Sequence, residues 1–162
     1  MHANPTAPGT ADEEQFVTFR LAGEEYGVPI GAVQEIVRVP ETLTHVPQAP
    51  DFVEGVINLR GAVLPVIDQR RRFGLPGCER NDRQRIMVYL LDGQRTGFIV
   101  DSVAEVLKLP NASVEGSPKL SEAQARLIRR VANLPKAGRI IMLIEPQDLL
   151  AKAEVEALAE AA

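Results

Sequence analysis

The feature that most constrains this chain is an internal repeat. Sliding the sequence by 70 residues lays 16–40 on 86–110 without a gap. Leu21 then falls on Leu91, Gly23 on Gly93, Gly27 on Gly97, Val33 on Val103, Glu35 on Glu105 and Pro40 on Pro110. Most other matched pairs keep their apolar character. A second stretch, VINLRGAVLPVID (56–68), matches VANLPKAGRIIMLIE (131–145) at an offset of 75–77, with two residues inserted near Lys136. The matched segments come in the same order in both halves. Repetition at a fixed period marks a unit copied in tandem, here of about 70 residues; two amphipathic hairpins coinciding by composition is the alternative.

Each unit is a set of short apolar runs separated by turn signals. Gln15–Leu21 is rich in β-formers and is followed by the turn Ala22-Gly23-Glu24-Glu25; Tyr26–Ile30 and Val33–Val39 come next. In the second unit Ile86–Leu91 runs into Asp92-Gly93, a strong hairpin signal, and Thr96–Val100 and Val103–Leu109 follow. Such a pattern predicts a mainly β protein of two small barrels of about five strands, with interiors filled by side chains. The units run about 15–80 and 85–150, and a strand of one can complete the other. Residues 1–14 carry no apolar face and read as a disordered tail. Ser121-Glu122-Ala123-Gln124 is a capping box that predicts a short helix to about Arg130, and 147–162 reads as a C-terminal helix.

Composition removes most chemistries. A single Cys forms no internal disulfide, and the two histidines, one of them in the tail, support neither a metal cage nor a catalytic pair with Cys78. There is no GxxxxGK[ST] and no GxGxxG opening a helix. Glu13–Glu14 and Glu24–Glu25 read as solvated acids in a tail and a turn. A net charge of −4 with 4% aromatics argues against nucleic acid as a partner. No run approaches 18 apolar residues and the N-terminus lacks a secretory pattern, so a cytoplasmic protein without membrane insertion or cofactor is expected. The basic run Gln69–Phe73, with Arg80, Arg83 and Arg85, reads as a solvated linker face or a contact for an acidic protein surface.

Two segments hold the candidate site. In Glu54–Gly61 a strand breaks at Asn58-Leu59-Arg60-Gly61 and resumes at Ala62; Gly61 permits a positive φ and Asn58 can bond nearby backbone. The matching turn keeps Asn133-Leu134 but has Pro135-Lys136 in place of Arg60, so Arg60 is a candidate for a role of the first unit alone. Arginine is also enriched at binding hot spots. Glu35 is acidic within an apolar alternation and either faces a groove or pairs with Arg60; Glu105 repeats it.

Residues 15–150 resemble a CheW-type chemotaxis coupling protein. The resemblance is carried by FVTFRLAGEEYGVPIGAVQEIV, VPQAPDFVEGVINLRGAVLPVIDQRRRFGL, TGFIVDSVAEVLKLP and VANLPKAGRIIMLIEPQDLL, in that order. It implies two tandem SH3-like five-stranded barrels and no catalysis. It implies an adaptor recruited to membrane-associated arrays, bridging the cytoplasmic tip of methyl-accepting chemoreceptors and the regulatory domain of the histidine kinase CheA. By the same resemblance Val33, Glu35 and Arg60 contact the receptor, Asn58 and Leu59 shape their turn, and Gly55 and Val56 match positions tied to kinase coupling. A coupler of a non-motility chemosensory pathway, or a small enzyme with an unrecognised site, are the alternatives. Arg129-Arg130, where relatives often carry Gly, and the longer Pro135-Lys136-Ala137 turn depart from the pattern.

Overall fold

The computed structural model describes residues 12–116 and 126–161. Alternation of side chains across strands organises it. In the first part of the chain β1 (Glu13–Leu21) and β2 (Glu24–Pro29) form a hairpin, followed by β3 (Val33–Arg38), β4 (Val53–Leu59), β5 (Ala62–Asp68) and the one-turn helix α1 (Gln69–Arg72). Then come the hairpin β6 (Arg85–Leu91) and β7 (Gln94–Val100), β8 (Ser102–Pro110), β9 (Val114–Gly116), β10 (Ile128–Leu134), β11 (Arg139–Ile144) and the helix α2 (Lys152–Ala161).

Two sheets result, ordered β3-β6-β7-β5-β4 and β8-β1-β2-β11-β10-β9. Matched at the repeat offset, the first five strands of each sheet follow one order, with a parallel pairing of β5 on β7 in one and β11 on β2 in the other. Each sheet takes its hairpin from the opposite half: β6 and β7 join β3, β4 and β5, while β1 and β2 join β8, β10 and β11. The sheets therefore do not divide the chain into 15–80 and 85–150. A hairpin is a self-contained pairing unit, so its outer edges can be completed by either copy of the remaining strands.

Three apolar cores follow from period-2 alternation. Leu64, Val66, Ile86, Val88 and Ile99 fill one barrel; Phe16, Leu109, Ala132, Ile141 and Leu143 fill the other. The seam between them takes Phe19, Tyr26, Ile67, Met87, Tyr89 and Phe98, together with Leu149, Leu150, Val155 and Leu158 around α2. This explains the near-continuous run IMVYLL: Ile86 and Val88 face the barrel interior while Met87 and Tyr89 face the seam. Gly27 and Gly97, identical in the repeat, sit where the barrel interior leaves no room for a side chain. A Cβ at Gly97 would lie 2.5 Å from Ile86 Cγ2 and 3.2 Å from Leu64 Cδ2, and one at Gly27 would lie 3.1 Å from Leu143 Cδ2.

Several expectations change. Glu13 and Glu14, expected in a tail, belong to β1, and Glu14 pairs with Arg130; residues 1–11 of that expectation lie outside the described residues. The capping box at 121–124 lies outside the described residues, but the predicted helix does not extend to Arg130: β10 begins at Ile128 and pairs along its length with β11. Pairing with β11 outweighs local helix propensity there. The C-terminal helix starts at Lys152 rather than 147, because residues 146–148 form a separate 3-10 turn led by Pro146.

The basic run is not a solvated face. Arg70 donates to both carboxylate oxygens of Asp101 (2.8 and 2.6 Å), Arg71 to Glu54 (2.7 Å) and Arg72 to Glu154 and the Leu149 carbonyl. Nor is Glu25 a solvated turn residue: it lies in β2 and accepts hydrogen bonds from Arg139 at 3.1 and 2.5 Å.

Candidate protein-docking site

The site is built on a two-residue hairpin turn. Arg60 and Gly61 lie between β4 and β5 with φ of 52° and 86°, the left-handed pair that a tight hairpin requires. The Asn58 side chain locks it by accepting a hydrogen bond from the Gly61 amide at 2.9 Å. The same backbone recurs at Ala22-Gly23 and Asp92-Gly93, so the turn itself is ordinary for this fold. What differs is the side chain at its tip: Arg60 is 68% exposed, on a non-glycine residue held at positive φ.

Glu35 meets it from β3. The pairing of β3 with β6 slips by one residue between Val33 and Glu35, a bulge that re-aims the strand. The matching slip occurs on β8, between Val103 and Glu105, opposite Phe19 and Thr18 of β1. Glu35 Oε1 accepts from Arg60 Nη2 and also from Arg95 Nη2 at 2.8 Å. The hydrogen bond from Arg60 is the main reason the Glu35 carboxyl is held below its ordinary pKa, and it raises that of Arg60 in turn. Two arginines on one carboxylate leave this end of the barrel with a surplus positive charge.

The remaining predicted residues fall around this pair. Val33 begins β3 on the same half-covered face as Glu35 and packs toward the inter-barrel seam. Asn58 is exposed, while Leu59 is half-buried against the first barrel's interior. Gly55 and Val56 lie further down β4. Gly55 is buried, and a Cβ there would come within 2.8 Å of both Leu43 Cβ and the Thr44 carbonyl oxygen. Val56 exchanges backbone hydrogen bonds with Thr44 at 2.8 and 3.0 Å. These two residues fasten the 39–52 segment to β4. A shallow cavity of about 280 Å³ opens beside them, lined in part by Val37, Pro40, Val56 and Leu59.

Two residues escaped the sequence reading. Arg95 is the second partner of Glu35, and Arg139 answers Glu105 at 3.2 Å and Glu25 more closely. The second unit's glutamate thus has an arginine as well, although its turn carries none. Arg139 is the first residue of β11 and occupies the place that Ala62 holds at the start of β5, since each pairs with the matching leucine, Leu134 and Leu59. The repeat carried a signal for it: Glu25 falls on Arg95, a reversal of charge. One barrel end is Glu35 with two arginines, and the other is Arg139 with two glutamates.

Cys78 is exposed, and its sulfur accepts a hydrogen bond from Gln84 Nε2 at 3.5 Å. Among the described residues no cluster of His, Cys, Asp and Glu is arranged to hold a metal ion, and no helix is long and apolar enough to cross a membrane.

Two fused β-barrels with filled interiors, whose polar side chains gather at exposed barrel ends, define a protein-docking module. The CheW-like domain family model matches residues 15–154. A chemotaxis protein CheW of Klebsiella aerogenes is 35% identical over 88% of this chain and 84% of its own length. That of Rhizobium meliloti is 35% identical over 88% of this chain and 91% of its own. The crystal structure of the scaffolding protein TtCheW from Thermoanaerobacter tengcongensis superposes with a TM-score of 0.73 at 34% identity, covering 84% of this chain and 91% of that one. The chain belongs to the CheW-like family, and its function is that of a chemotaxis coupling adaptor.

Proposed function

We propose that the Glu35–Arg60 end of the first barrel is the surface that takes the cytoplasmic helical tip of a methyl-accepting chemoreceptor. The protein then links that receptor to the regulatory domain of the histidine kinase CheA, without catalysis of its own, as a cytoplasmic component of membrane-associated arrays. The observation that carries this reading is Arg60 itself: largely exposed, yet fixed in direction by Glu35. A guanidinium bound on one side keeps donors for a partner and loses little conformational entropy on docking. Val33 and Leu59 supply apolar contact nearby, and Asn58 holds the turn in shape. Gly55 and Val56 support kinase coupling indirectly, by anchoring the 39–52 segment beside the site.

The test is Arg60→Ala assayed by co-sedimentation with receptor-containing membranes and kinase, alongside a thermal melt. Loss of co-sedimentation with an unchanged melt is expected. A folded variant that still assembles fully would overturn the role given to Arg60. Pull-down with the intact protein identifies which kinase and receptors it serves, and so separates motility from another chemosensory pathway.

A further inference from the structure

A second site lies away from the Glu35–Arg60 end, where β10 enters the sheet and the chain turns into α2. A cavity of about 430 Å³ opens there, lined by Arg72, Arg126, Leu127, Arg129, Gln147, Asp148, Leu150 and Ala151. Three guanidinium groups, Arg72 from α1 and Arg126 and Arg129 from the segment entering β10, thus border one small-ligand-sized space. We propose that this cavity is a binding site for a phosphate monoester.

The three arginines are not equivalent, and their differences support the assignment. Arg72 is fixed by Glu154 at 2.8 and 2.7 Å and by the Leu149 carbonyl at 2.8 Å, and Arg129 by Asp148 at 2.8 Å. Each keeps N–H groups not spent on these bonds, because a guanidinium carries five. Arg129 is 67% exposed. Arg126 is exposed and has no hydrogen bond or ion pair among the described residues, so none of its N–H groups is spent on them. Three positive charges meet two carboxylates, Asp148 and Glu154, and both carboxylates are already held by arginine. The surplus charge belongs to Arg126.

Chemistry and size then narrow the ligand. Guanidinium forks match the paired oxygens of a phosphoryl group, and a dianion gains most from several of them. The space exceeds what an inorganic anion fills. Leu127 and Leu150 line part of it, and Gln147, which spends one N–H on the Leu90 carbonyl at 2.8 Å, keeps a second N–H and its carbonyl oxygen, so an organic portion attached through an ester oxygen has a wall to rest on. A monocarboxylate would engage one arginine and leave the others idle. The phosphoryl group can belong to a small phosphorylated molecule or to a phosphorylated side chain of another protein.

The experiment is an amide-resolved NMR titration of the full chain with phenyl phosphate, with a phosphoserine-containing peptide and with inorganic phosphate. Saturable shifts centred on Leu127, Gln147 and Leu150 are expected, weakening as salt is raised. Arg126→Ala should weaken binding at least fivefold while leaving the melting temperature unchanged, and Arg126→Lys should recover part of it. Saturation by phenyl phosphate assigns a small molecule, and saturation by the peptide alone assigns a modified protein. Absence of saturable shifts at these residues with all three probes, or equal affinity in Arg126→Ala, would overturn the site.

Discussion

Arg72 donates two parallel hydrogen bonds to Glu154, Nη1 to Oε2 at 2.8 Å and Nη2 to Oε1 at 2.7 Å, tying α1 to α2 across the seam between the barrels. The same guanidinium donates through Nε to the Leu149 carbonyl, so one side chain secures both the start of α2 and the turn before it. Both partners are about three-quarters covered, at 25% and 27% side-chain exposure.

Removing this tie should loosen α2 before the barrels. Arg72→Ala is expected to cost about 2 kcal/mol, since a partly buried charge-assisted pair is broken and Glu154 is left without its partner. Glu154→Gln should cost less. Chemical denaturation of both single variants and the double variant measures the coupling, and additive losses would show that the pair contributes nothing as a pair.

The two repeat-matched glycines should differ in tolerance. Gly97→Ala places a methyl 2.5 Å from Ile86 Cγ2, whereas Gly27→Ala meets Leu143 Cδ2 at 3.1 Å. Overpacking of this kind costs about 1–3 kcal/mol, and Gly97→Ala is expected at the upper end with Gly27→Ala well below it. Thermal melts of the two variants check the order.

Acid should weaken the seam in a defined window. Burial raises the pKa of Asp101, but the hydrogen bonds from Arg70 and the Ala22 amide outweigh it, and the carboxyl ends below its ordinary value. Glu154 behaves alike: burial raises it, while Arg72 and the Ala151 amide bring it down further. A depressed folded pKa means stability that is complete above the ordinary carboxylate range, about pH 4, and is lost as pH falls through the folded values. Denaturation midpoints should therefore hold above about pH 5 and drop below it, and Asp101→Asn should flatten that fall.

Arg60 offers a way to separate docking from folding. A non-glycine residue at φ 52° is strained, and glycine at this position relieves the strain. Arg60→Gly is expected to change stability by less than about 1 kcal/mol, since relief of the left-handed strain offsets the extra entropy glycine loses on folding, while abolishing co-sedimentation with receptor and kinase. A large loss of stability would show instead that the ion pair with Glu35 holds the barrel end together.

Much of the fold was legible because strands and hairpin turns are written locally. Ala22-Gly23, Asp92-Gly93 and Asn58–Gly61 all form the turns their residues predict, and the apolar runs become strands within a residue or two. The Glu35–Arg60 pair was accessible as a possibility because both lie in short, marked segments. Arg95 and Arg139 were not, since their partners sit 60 and 114 residues away and depend on which hairpin enters which sheet. The basic run misled for a related reason. Its carboxylate partners Glu54, Asp101 and Glu154 come from three separate parts of the chain.

From the sequence alone came the repeat, the β character of both units, the family resemblance and the residues at the tip of the first barrel. Local periodicity and turn chemistry suffice for these, because each depends on neighbours a few positions apart. The tertiary structure decided the exchange of hairpins, the charge reversal between the two barrel ends and the conversion of a basic stretch into internal ties. Each of these rests on long-range pairing, where which edge a strand meets and which charge lies opposite are settled by packing three cores at once.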